Sequence, residues 1–219
     1  VSREHRIRVD RTARYYTLGD PVRAPECWVV VHGYGQLGGR FIRRFATLPG
    51  VAEGERAVVA PEALSRFYVE RETGPHGAPS TVGASWMTRE EREHEIDDYV
   101  AYLDRVVEEG LEGRAPRLVV LGFSQGCETA SRWVVLGRVR PAELVLWGGG
   151  VAADLAPDRL RDGLRGVRVR QVVGSRDRWA QDKAVDTHGR LEGLDVGLER
   201  IDYEGGHAVL GEVLDRYWG

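Results

Sequence analysis

Residues 118 to 126 read Leu-Val-Val-Leu-Gly-Phe-Ser-Gln-Gly, and the fold turns on them. Leu118 to Leu121 is a continuous apolar run, as in a strand buried on both faces. Gly122-Phe123-Ser124-Gln125-Gly126 follows the pattern G-x-S-x-G, and Cys127 to Leu136 then reads as a helix. A strand that turns sharply into a helix holds its corner residue under backbone strain. Small residues two before and two after let strand and helix pass without a Cβ clash. The serine hydroxyl is raised above the sheet, over a helix N-terminus whose unpaired N–H groups favour negative charge. Ser124 is therefore the candidate nucleophile.

Around this corner, strands and helices alternate. Ile7-Arg8-Val9 and Tyr15-Tyr16-Thr17-Leu18 read as two short antiparallel strands. Trp28 to Val31 is a buried strand that leads into His32-Gly33-Tyr34-Gly35-Gln36. Residues 39 to 48 carry Phe41, Ile42, Phe45 and Leu48 at helical spacing, and Pro49-Gly50 ends them. Ala57 to Ala60 is another apolar run. Residues 65 to 88, rich in Gly, Pro, Ser and Thr, read as one long loop of the functional kind. Thr88, with Glu91 three residues on, reads as the capping box of a long helix from Arg89 to about Glu109. Strands follow at 117–121, 143–147, 167–173 and 198–203, with helices at 125–136, about 157–164, 178–193 and 207–218. The alternation implies one α/β domain over residues 1–219, with a mostly parallel sheet covered by helices on both faces.

The 219 residues suffice for one compact domain, and a net charge of −3 gives no footprint for nucleic acid. Of the 31 Lys and Arg residues, Lys183 is the single lysine. The arginines interleave with acids, as in Arg89-Glu90-Glu91-Arg92-Glu93, and read as an ion-pair-rich surface. Glu91-Arg92-Glu93-His94 matches half of a di-iron carboxylate motif, but no second half exists, so no metal is expected. Cys27 and Cys127 read as buried packing residues rather than a disulfide framework. No stretch approaches the length of a membrane span, and Val1 to Arg6 lacks the apolar core of a signal peptide, so a cytoplasmic location is expected.

A serine nucleophile needs a base and an orienting carboxylate, and open α/β sheets build their sites at the carboxyl ends of strands. Asp177 lies in Gly174-Ser175-Arg176-Asp177, just past the strand 167–173. His207 lies in Glu204-Gly205-Gly206-His207, just past the last strand. The order Ser124, Asp177, His207 is the one that accompanies the nucleophile elbow. An aspartate after a strand also serves as a helix cap, and Asp182 and Asp186 lie nearby. His5, His76 and His94 read as solvent-facing, and His188 lies in a helical stretch without glycines. Two N–H donors complete the site. One is the amide of Gln125, and the other is that of Tyr34, left accessible by the glycines on either side. His32 reads as a structural residue of that loop.

The set His32-Gly33-Tyr34-Gly35, Gly122-Phe123-Ser124-Gln125-Gly126, Asp177 and Gly205-Gly206-His207 resembles the phospholipase/carboxylesterase family of α/β-hydrolases, from about residue 27 to the C-terminus. The Gly-Phe-Ser-Gln-Gly and Ser85-Trp86-Met87 segments are its more specific parts. Gln36 stands where the family often has aspartate, and Cys127 where a further glycine is common. The resemblance implies an α/β-hydrolase fold without a large cap domain and a cofactor-free serine carboxylesterase acting on short- to medium-chain esters. It also allows a homodimer. Acyl-protein thioesterase or lysophospholipase activity is the alternative, and a non-catalytic binding protein on the same fold is a third reading. Trp86 and Met87, beside the start of the long helix, are the candidate substrate-lining residues, with Phe67 and Tyr68 in the same loop. Trp86 also reads as a core anchor for the long helix.

Overall fold

Alternate residues of the central strands face two separate cores. Cys27, Val29 and Val31 pack in one apolar cluster, and Trp28 and Val30 in the other. Leu118 and Val120 divide from Val119, Leu121 and Phe123 in the same way. A period of two with both faces apolar requires helices above and below the sheet, which the cores contain.

The computed structural model describes residues 1–69 and 80–219. Its main sheet is built from β1 (Tyr15–Leu18), β2 (Glu26–Val31), β3 (Arg56–Pro61), β6 (Arg117–Phe123), β7 (Glu143–Trp147), β8 (Arg168–Gly174) and β9 (Leu198–Tyr203). The spatial order is β1-β3-β2-β6-β7-β8-β9, all parallel except β1, which pairs antiparallel with β3. A small hairpin joins β4 (Ser65–Tyr68) to β5 (Val82–Ser85). The helices α2 (Arg92–Leu111), α3 (Gln125–Leu136) and α4 (Pro157–Gly163) supply apolar residues to one core. The short α1 (Gly38–Phe41), the 3-10 turn Ile42–Phe45 and α6 (Gly211–Trp218) supply the other. Between them in sequence, α5 (Arg178–Leu191) lies against β8.

This order places a switch point between β2 and β6. From β2 the chain moves outward to β3, then returns to the far side of β2 to enter β6. The loops after β2 and β6 therefore diverge over a crevice at the carboxyl ends of the strands, where open sheets bind ligands.

Several local expectations are corrected. Residues 7–9 form no strand, and Ile7 and Val9 are exposed, because β1 takes β3 as its partner instead. Residues 39–48 form one turn of α-helix and a 3-10 turn. The segment 65–88 contains the β4–β5 hairpin, while its middle, residues 70–79 with His76, lies outside the described residues. The capping box at Thr88 does not form. Arg6 holds both carboxylate oxygens of Glu91 at 2.6 Å, so that side chain cannot reach back. Glu95 takes the Thr88 N–H instead, and α2 starts at Arg92, after Glu91 at φ 48°. The last helix starts at Gly211 rather than His207. The carbonyl of Ala208 accepts from the Trp147 indole at 2.9 Å, which keeps this stretch out of helix. Among the described residues no helix is long and apolar enough to cross a membrane. Cys27 and Cys127 are both free and buried.

Candidate active site

Ser124 sits at the corner between β6 and α3 with φ 56° and ψ −120°, a region that side-chain-bearing residues rarely occupy. The crowding around it explains the flanking glycines. A Cβ on Gly122 would stand 2.3 Å from the carbonyl oxygen of Gly126, and one on Gly126 would stand 2.2 Å from that of Val31. The corner is pinned on its other side by the Ser124 N–H, which donates to the Trp147 carbonyl at 3.0 Å. Cys127 fills the space beneath, with its thiol on the carbonyls of Gly122 and Trp147, and burial pushes its pKa well up.

Asp177 and His207 arrive on two loops that are bonded to each other. The Ser175 N–H donates to the Tyr203 carbonyl, and the Arg176 N–H to the Gly205 carbonyl, both at 2.8 Å. The Asp177 Oδ2 lies 2.5 Å from Nδ1 of His207, and its Oδ1 accepts from the Ala180 N–H at 3.1 Å. This aspartate is thus at once the cap of α5 and the partner of the imidazole. The imidazole lies against the corner residues. Its ring centroid is 4.8 Å from that of Phe123, the residue before Ser124. It also lies on Gly148, where a Cβ would be 3.1 Å away.

The loop after β2 closes the other side. A Cβ on Gly33 would be 3.1 Å from the Ser124 Cβ, so this loop touches the corner directly. Its Gly33 N–H is taken by the Gln36 side chain at 2.9 Å, and its Gly35 N–H by the Ala84 carbonyl at 2.9 Å. Between them the Tyr34 N–H has no acceptor among the described residues, and neither has the N–H of Gln125. Gln36, where the resemblance leads one to expect aspartate, still fastens the loop.

His32 lies beneath this loop with no exposure. Its Nε2 accepts from the Ala63 N–H at 3.1 Å, so Nδ1 carries the proton given to the Gly33 carbonyl at 2.8 Å. Burial pulls its pKa down to about 4 and keeps it neutral. The two residues expected to line the substrate differ in exposure. Trp86 is only 3% exposed, with its indole 5.0 Å from His32 and its N–H on the His32 carbonyl. It is a core support of the Tyr34 loop, because its ring is spent on His32 and Tyr99. Met87 is half-buried, with its sulfur 3.5 Å from the Arg132 guanidinium.

Two features escaped the sequence reading. The Gln125 side chain accepts from the Trp86 N–H at 3.3 Å and donates to Ser85 Oγ and the Met87 carbonyl, fixing the 85–87 segment to the start of α3. Trp179 meets His207 in a T-shaped contact, with ring centroids 5.7 Å apart. Its signal in the sequence was its position two residues after Asp177 and four before the single lysine.

No family model and no curated protein matches the sequence. Solved structures do match. Acyl-protein thioesterase 2 of Zea mays is similar over 94% of this chain and 96% of its own, at 16% identity and a TM-score of 0.68. A carboxylesterase from Mesorhizobium loti is similar over 94% of this chain and 93% of its own, at 15% identity and a TM-score of 0.68. A structure described as esterase PE8 reaches 19% identity at the same TM-score, over 94% of this chain and 96% of its own. With nearly the whole of each chain covered, the mostly parallel sheet and its flanking helices belong to one architecture: this chain has the α/β-hydrolase fold.

Proposed function

We propose that the chain is a serine carboxylesterase that hydrolyses short- to medium-chain carboxylic esters through Ser124, His207 and Asp177. The observation that carries this reading is Ser124 at φ 56° at the N-terminus of α3, with an imidazole bonded to a buried carboxylate and packed on Phe123, the residue before it. A strained non-glycine corner persists only where the surroundings enforce it, and such corners concentrate at reacting groups.

In the proposed reaction Ser124 Oγ attacks the ester carbonyl carbon while His207 takes the hydroxyl proton. Asp177 holds the proton on Nδ1 and stabilises the imidazolium. The Tyr34 and Gln125 amides, which have no other acceptor among the described residues, hydrogen-bond the oxyanion of the tetrahedral intermediate. The bond to the alcohol oxygen then breaks, and His207 returns its proton to that oxygen. Water, deprotonated by His207, attacks the acyl-enzyme, releases the acid and restores Ser124.

The test is hydrolysis of p-nitrophenyl acetate, butyrate and octanoate, with a fluorophosphonate label located by mass spectrometry. Labelling at Ser124 and a loss of about 10³-fold or more in kcat for Ser124→Ala are expected. An unlabelled, inactive wild type overturns the reading in favour of a binding protein. Turnover of a palmitoylated thioester peptide far above that of the nitrophenyl esters replaces the carboxylesterase with a thioesterase, the activity that the similar Zea mays protein is named for.

A further inference from the structure

The chain has six tryptophans, and five are buried: Trp28, Trp86, Trp133, Trp147 and Trp218. Trp179 is 46% exposed. An exposed indole gains little from the hydrophobic effect, yet this one is held in place from two sides. His207 meets it in a T-shaped contact at an interplanar angle of 85°. The ammonium of Lys183, one helical turn further along α5, lies over the ring, 5.6 Å from its centroid. Glu128 on α3 fixes that ammonium at 2.8 Å. The molecule's single exposed tryptophan and single lysine therefore form one assembly beside the imidazole.

Resting on the serine esterase reading, we infer that Trp179 is the platform for the leaving group, and that the preferred substrates are esters of alcohols carrying an aromatic ring. His207 must return its proton to the leaving oxygen, so the alcohol part of the ester emerges next to the imidazole. Of the two aromatic rings in contact with His207, Trp179 is the exposed one, since Phe123 is buried. A fixed indole discriminates by shape. A flat ring stacks on it and gains from the aromatic quadrupoles, whereas a saturated ring of equal size gains only burial. Lys183 and Glu128 act through Trp179, by fixing its orientation before substrate arrives.

The experiment compares kcat/KM for benzyl acetate and cyclohexylmethyl acetate, which share an acyl group and a carbon count and differ in the flatness of the ring. Wild type, Trp179→Leu and Trp179→Phe are assayed; both substitutions are at an exposed position and keep apolar bulk. The wild type is expected to favour the benzyl ester about three- to tenfold, mostly through KM. Trp179→Leu is expected to bring the ratio to near one, and Trp179→Phe to restore most of it. A ratio that is the same in all three proteins, with turnover intact, overturns this inference and leaves the esterase reading standing. No turnover of either ester or of the nitrophenyl set overturns both.

Discussion

His32 illustrates how one side chain serves a site without entering it. Its two nitrogens bond to backbone groups of two different loops, at Gly33 and Ala63, and its ring carries Trp86. Only the neutral form fits, because protonation would leave the Ala63 N–H without its acceptor and place a charge in the core. With its pKa pulled down to about 4 in the folded chain, the unfolded chain binds a proton between pH 6.5 and 4 that the folded chain does not. Stability therefore rises with pH across this window and falls as the pH drops through it. This residue alone is expected to make the fold about 2 kcal/mol less stable at pH 5 than at pH 7. Urea unfolding of wild type and His32→Gln at both pH values checks it: the variant's pH dependence should be smaller by that amount, and equal slopes would remove His32 as the cause. Asp177 carries two duties in the same sense, since one oxygen caps α5 and the other holds His207. Reading it as either a helix cap or a partner for His207 posed alternatives that the geometry combines.

At the scale of elements, the site is assembled by hydrogen bonds between pieces that have no regular contact in sequence. The Gln125 side chain ties α3 to the segment after β5 through Ser85, Trp86 and Met87. That segment ties to the Tyr34 loop through Trp86, and β5 itself does so through Ala84. The two amides proposed for the oxyanion are thus braced against each other by a common strut. Gln125→Leu removes three of these hydrogen bonds while keeping the backbone amide. It is expected to cost about 1–2 kcal/mol of stability in urea and to lower kcat more than it changes KM. An unchanged kcat would mean that the two donor loops hold their places independently. The strands and most helices were legible in the sequence because their apolar periods are local. The brace was not, since its partners lie about forty residues apart. The failed capping box at Thr88 has the same origin. Its local pattern is intact, but Arg6, 85 residues away, holds the glutamate that the box needs. The structure bonds Asp177 to His207, and the positions of Ser124, Asp177 and His207 just past the ends of β6, β8 and β9 were legible from local strand signals. Trp179 was not, because exposure has no local pattern.

Over the whole molecule the two ends of the sheet divide the work. The candidate site lies at the carboxyl ends of the strands, while the amino ends carry a chain of alternating charges. Arg56 pairs with Glu26 at 2.7 Å, and Glu26 pairs in turn with Arg117. Arg117 reaches Glu143 at 3.3 Å, and Arg170 bridges Glu143 at 3.5 Å to Glu199 at 2.9 Å. This crosses from β3 to β9 and joins the strands through residues within their first three positions. Glu143 is the member that matters most, because it is 1% exposed and its Oε1 also accepts from the Trp218 indole at 2.8 Å. Removing it leaves Arg170, itself largely buried, without its inner partner, and leaves a buried indole N–H unbonded. Glu143→Ala is therefore expected to lose about 3 kcal/mol of stability. Asp202→Asn, at an exposed pair with Arg200, should lose less than about 1 kcal/mol. Salt at 1 M should erase most of the Asp202 effect and little of the Glu143 effect, since buried pairs are poorly screened. Because the charge chain and the site occupy opposite ends of the strands, Glu143→Ala should keep its ester kcat at temperatures well below its lowered Tm. Thermal unfolding and kcat measured on the same preparations test this separation, and a kcat that falls while the protein remains folded would show that the two ends are coupled through the sheet.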